Sequence, residues 1–116
     1  MKSGALYLGE RCLLPRVWKT TTAMDRMRGL LARPPLKEDE GLLIEPCGSV
    51  HTVGMRYSLD LMFLGRDWKI KKIVHGLAPL RLSVGFGAFR TLETAAGVLA
   101  GMALRKGDVL VWREAS

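Results

Sequence analysis

Two cysteines and two histidines are all that the 116 residues hold of the usual zinc ligands. A zinc site needs three or four ligands. The one close pair, Cys47 and His51, has no second pair to complete it, so neither a metal nor another cofactor is expected. The two thiols, Cys12 and Cys47, lie far apart in sequence and are expected to be reduced, unbonded and packed inside. No apolar run approaches the ~20 residues of a membrane-spanning helix. The opening stretch MKSGALYLGE also lacks the apolar centre of an export signal, which makes the cytoplasm the expected compartment. Aromatic residues are scarce, at 7%, and none sits among repeated basic positions as in a nucleic-acid module, so nucleic acid is not an expected partner.

What is present is apolar content of 48% and a net charge of +7, from 18 basic and 11 acidic residues. The apolar share and the length fit one globular domain, residues 1–116, with a core of its own. The charge bears on association rather than on fold. Its densest group, WKIKKI, lies in a strand-like segment where Lys69 and Lys71 are expected to face solvent.

Short strand signals dominate the chain. ALYLGERCLLPRVWKT reads as two strands around a turn at Gly9-Glu10, and Pro15 places the second at a sheet edge or at a bulge. TTAMDRMRGLLARPP is the best helix signal, expected within residues 22–33. Thr21 or Thr22 would cap it, and Ala23, Met24, Met27, Leu30 and Leu31 would form its buried stripe. LLIE is a short strand. From Leu59 the side chains alternate, with Leu59, Leu61 and Phe63 on one face and Asp60, Met62 and Leu64 on the other, and both faces are mostly apolar, as in a central strand. GRDWK forms a hairpin turn into WKIKKIV. RLSVGFGAFRTLE supplies one or two more strands, in which Gly85 and Gly87 mark a bend or a close approach to the backbone. A helical turn or two in TAAGVLAGMALRKGD, a tight turn at Lys106-Gly107-Asp108 and the strand VLVW complete the chain. Strands and helices do not alternate, which argues against a doubly wound sheet. The expected fold is mostly β (a β-rich α+β domain), a compact antiparallel sandwich, jelly-roll-like, or an irregular barrel, with one main helix packed at its side.

Few polar residues stand where chemistry can use them. Asp60 interrupts an apolar strand, and a buried carboxylate needs donors or an altered pKa. The segment from His51 to Arg56 leads into that strand and is the expected source of donors, either to pin the loop or to build a site. His51 is near neutrality in its unperturbed state and can serve as a base. Glu93 closes the apolar stretch FRTLE. It can cap the following helical turn, pair with Arg56 or Arg90, or form an acid–base pair with Asp60 if the strand ends meet.

The order of these residues resembles the DUF192 family, small bacterial and archaeal proteins without an established biochemical function. The resemblance runs from about Thr20 to Trp112 and rests on three separated stretches: DRMRGLLAR, DEGLLIEPCGSVHTVGMRYSLDLMFL, and LETAAG followed by RKGDVL. Ser58 stands where the family often has proline, and the turn Gly65-Arg66-Asp67 departs from its usual order. The resemblance implies a mostly β sandwich or jelly-roll domain. It marks Met55, Arg56, Asp60, Glu93, Gly107 and Asp108, with His51 and Thr52 for this subgroup, as positions matching family motifs. It implies no reaction, and a sandwich fold hosts many functions. Three readings follow. The first is a small binding module in which His51, Thr52, Arg56, Asp60 and Glu93 line a polar cleft for an anionic or polyhydroxylated ligand. The second is a structural or protein-partner role, and the third a hydrolase using Asp60 or Glu93 with His51.

Overall fold

The computed structural model describes residues 1–28, 34–52 and 55–116, with side chains described in the first stretch only to residue 26. Its elements in chain order are β1 (Lys2–Leu8), β2 (Arg11–Lys19), α1 (Ala23–Arg28), β3 (Glu40–Ile44), β4 (Ser49–His51), β5 (Leu59–Leu64), β6 (Ile70–Leu77), β7 (Leu82–Val84), β8 (Arg90–Ala95), a 3₁₀ turn (Leu99–Met102) and β9 (Val111–Glu114). This is a mostly β domain with one short helix among the described residues. Seven strands form one sheet in the order β6-β5-β8-β3-β2-β1-β9, and β4 pairs with β7 in a separate two-stranded ribbon.

The alternation read from β5 holds in three dimensions. All six of its residues are buried, because each face meets a different core. Met62 and Leu64 join a first core with Leu6, Leu14, Val17, Leu43, Ile70, Leu92, Leu99 and Leu110. Leu59, Leu61 and Phe63 join a second with Leu36, Leu42, Ile44 and Val50. Strands at both ends of the sheet feed the first core, so the sheet curls around it. Near one end Lys69 bridges Val109, which brings the approaches to the two outermost strands, β6 and β9, together. The ribbon lies over the other face, where Val50 enters the second core.

Two expectations about this architecture need correction, and the one for Pro15 narrows to one of its two alternatives. First, β2 and β3 pair in parallel while the other ladders are antiparallel. The crossover from Thr20 to Asp39, which carries α1, supplies the length that a parallel connection requires. Pro15 is not at an edge, since β2 lies between β3 and β1. The bulge alternative is the one realised. Gly4 faces Val17 and Leu6 faces Leu14, so the extra residue turns both Leu14 and Val17 toward the first core. Pairing with β3 begins at Arg16, which spares the proline from donating to a ladder. Second, Ala23 and Met24 are exposed, so the first turn of α1 does not bury the expected stripe. The expected burial of Met27, Leu30 and Leu31 lies outside the described side chains. The cap is as expected: the Thr22 hydroxyl accepts from the Asp25 amide at 3.1 Å, and the Asp25 carboxylate accepts from the Thr21 amide at 3.0 Å.

Both cysteines are free thiols, but Cys12 is exposed on β2 rather than interior, and Cys47 is half-buried. The two glycines of the β7–β8 connection divide the roles foreseen for them. A Cβ on Gly85 would collide with the ring of Phe63, so the backbone there is the floor on which that ring packs. Gly87 takes a left-handed φ of 79° and makes the bend.

Candidate functional site

Register decides where the two buried carboxyls point. Asp60 of β5 lies opposite Thr94 of β8, and Glu93 lies opposite Leu61. Directly opposed residues share a face and successive residues alternate. Asp60 therefore shares the face of the first core and Glu93 that of the second. The acid–base pair expected from their sequence positions is not formed.

Asp60 is fully buried, and its two oxygens accept three backbone hydrogen bonds. Oδ1 takes the Gly76 amide at 2.8 Å. Oδ2 takes the amides of Gly97 at 3.0 Å and Leu99 at 3.1 Å, at the start of the 3₁₀ turn. The donors are not the expected segment from His51 to Arg56. A carboxylate fully supplied by backbone amides binds three parts of its own chain together. Beside it opens a cleft of about 470 Å³ lined by Ile73, His75, Leu99, Ala103 and Leu104 among others, mostly apolar, with Asp60 at its floor.

Glu93 is in the opposite condition. It is only 6% exposed. It sits in the middle of a row across five strands, Trp18–Leu42–Glu93–Leu61–Val74. Leu42 and Leu61, its neighbours in that row, are completely buried. Among the described residues no donor or cation reaches the carboxyl, neither Arg56 nor Arg90. Burial pushes its pKa up to about 7. Close by, the hydroxyl of Tyr57 is buried without a hydrogen-bond partner among the described residues. Burial, and next to it the charge of Glu93, pushes the Tyr57 pKa up. Buried polar groups are normally satisfied. Here the phenol stands unsatisfied and the acid next to it meets no donor among the described residues, beside an apolar flank that includes Trp18 and Met55.

The remaining sequence candidates separate. His51 and Arg56 are exposed. Thr52 is fully buried and structural: its hydroxyl donates to the Ala78 carbonyl at 2.7 Å and accepts from the Arg81 amide at 2.8 Å, tying the ribbon to the loop before β7.

Three features escaped the sequence reading: the true partners of Arg90, the role of Glu45, and Tyr57. Arg90 is buried and donates from Nε to Glu45 at 2.6 Å and from a terminal nitrogen to the Gly65 carbonyl at 2.8 Å. Its guanidinium also lies 3.9 Å from the centre of the Trp68 ring. Burial opposes ionisation of Glu45, but hydrogen bonds and charge from Arg90 and Lys19 outweigh it and hold the carboxyl below its usual range. The third is Tyr57, which carried no signal beyond being an aromatic in the central motif.

One curled, mostly β sheet with a parallel β2–β3 pair and a single short helix among the described residues sets the class as a β-rich α+β domain. The chain belongs to the DUF192 family, described as "Uncharacterized ACR", whose pattern it matches over residues 9–112. No curated protein matches it. Two crystal structures share the fold. One, from Sinorhizobium meliloti and described as a candidate transcription regulator, is 21% identical, covers 96% of this chain and 92% of its own, and superposes with a TM-score of 0.79. The other, a protein of unknown function from Novosphingobium aromaticivorans, is 21% identical, covers 84% of this chain and 73% of its own, and has a TM-score of 0.70. At that identity the likeness speaks for the fold alone.

Proposed function

We propose that the protein is a small binding module that takes a neutral, polyhydroxylated ligand between Glu93 and Tyr57. The observation that supports this most is that both groups are buried and lack partners among the described residues. A carboxyl with a pKa of about 7 can both donate and accept near neutrality, and a phenol does the same. Vicinal hydroxyls supply the complementary set, and the C–H face of such a ligand suits the apolar flank at Trp18 and Met55. An anionic ligand fits less well, because a second negative charge beside Glu93 is repelled in a desolvated setting. The hydrolase reading draws less support, since Asp60 is committed to three backbone donors on the other face. The compartment we propose is the cytoplasm, on the strength of two free thiols.

The test is an amide-shift titration with neutral monosaccharides, disaccharides and inositols. Shifts should centre on Glu93, Leu42, Leu61 and Tyr57, and should weaken in Tyr57→Phe and in Glu93→Leu. If no member of the panel moves those amides, or if both variants respond as the parent does, the reading fails.

A further inference from the structure

The ribbon presents a second feature that the binding site does not use. In β7, Ser83 points inward while Leu82 and Val84 face solvent. Leu80, in the turn before β7, and Phe86, in the turn after it, flank the strand. Leu80, Leu82 and Phe86 are 69%, 66% and 91% exposed. Large exposed apolar side chains gathered in one short segment mark a candidate interaction surface.

The backbone is committed to displaying them. Leu80 is held at a φ of 61°, a region leucine rarely enters, with its amide donating to the Thr52 carbonyl at 3.2 Å. Phe86 sits at a tip between Gly85, which is packed on Phe63, and the left-handed Gly87.

Charge says what this surface meets. Arg81 and Lys72 are the cations placed at the stripe, whereas Lys69 pairs with Asp67 and Arg90 with Glu45. Arg81 is exposed between Leu80 and Leu82. Lys72 reaches across to the Val84 carbonyl at 3.0 Å, and exposed His51 lies directly opposite Leu82 on β4. A second copy of the chain would set these cations against their own likeness. We propose that the stripe docks on an anionic lipid surface, with Leu80, Leu82 and Phe86 entering the interface and Arg81 and Lys72 meeting the headgroup phosphates. Side chains two-thirds or more exposed project outward, which suits a fluid apolar boundary flanked by negative charge. The proposal stands apart from the ligand reading above, and either can fail without the other.

Sedimentation of the full chain with vesicles tests it. The protein should bind vesicles of phosphatidylcholine mixed with phosphatidylglycerol and bind pure phosphatidylcholine much less. Leu82→Ser and Phe86→Ser, both at exposed positions, should each weaken partitioning by about tenfold or more. In Phe86→Trp, emission beyond that of the parent should shift to the blue on adding mixed vesicles and be quenched by brominated acyl chains. Failure to sediment with mixed vesicles overturns the proposal. So does binding that neither serine variant weakens, which would leave charge alone as the cause. A solution dimer that Leu82→Ser dissolves would assign the stripe to a second copy instead.

Discussion

Asp60 and Glu93 lie one residue out of register on adjacent strands and point to opposite sides of the sheet. One carboxyl is supplied with three backbone donors, while the other has none among the described residues. The same chemical group thus holds the fold together at one position and burdens it at the other. That difference can be measured.

Replacing Asp60 by alanine strands the amides of Gly76, Gly97 and Leu99 in a buried setting, at an expected cost of about 3–5 kcal/mol. Asparagine keeps one acceptor oxygen but turns an NH₂ toward amides that also donate, and should cost roughly 2–3 kcal/mol. Urea melts of both variants read this directly. An alanine variant as stable as the parent would remove the structural role assigned to Asp60.

Glu93 predicts a pH dependence of opposite sense to that of an ion-paired acid. The unfolded chain releases the proton near pH 4.5, whereas the folded chain holds it to about 7. Its contribution is therefore fully present below 4.5 and is lost as pH rises through 7, a loss of about 3 kcal/mol at ~1.4 kcal/mol per pH unit. Glu93→Gln abolishes that slope and should be more stable than the parent at pH 8 by up to about 3 kcal/mol. Chemical denaturation at pH 4.5, 6 and 8 gives the comparison. Parallel curves for parent and variant across that range would contradict it.

Gly85→Ala should destabilise by about 1–3 kcal/mol, because the new methyl group meets the Phe63 ring and one of the two must shift. Gly101→Ala, with open space around the added Cβ, is the control and should leave the melting temperature nearly unchanged. Equal effects at the two positions would refute the close packing at Gly85.

The thiols should react at two rates. Cys12 is exposed on β2 and should be labelled quickly by a thiol-reactive dye. Cys47 is half-buried, with its sulfur 3.1 Å from the Ser49 carbonyl, and should be labelled more slowly until the chain is unfolded. A single rate for both in the native protein would count against this difference in environment.

Much of the sheet was legible because its rules are local. Alternation in β5 was enough to place Leu61 and Met62 on different faces, and the Gly65-Arg66-Asp67 turn announced the hairpin. Asp60 was legible as a buried carboxylate for the same reason. Its donors were not, since Gly76, Gly97 and Leu99 come from later strands and loops and offer only backbone amides, which every residue has. Glu93 was visible as a carboxyl in an apolar stretch, but the register that separates it from Asp60 is a property of pairing between strands. Arg90 illustrates the limit most clearly. Its carboxylate partner, Glu45, is 45 residues away, and the nearer Glu93 was the tempting choice.

The bridge between Lys69 and Val109 bears on how such a sheet survives at high concentration. A strand with a free margin is a template for the margin of another molecule, and repeated joining of that kind leads to fibres. Here the approaches to the two outermost strands spend peptide groups on each other: the Ile70 amide donates to the Asp108 carbonyl at 2.9 Å, and the Leu110 amide to the Trp68 carbonyl at 3.0 Å. By turning back on itself the sheet shortens the template at both margins at once, and the molecule becomes its own terminator.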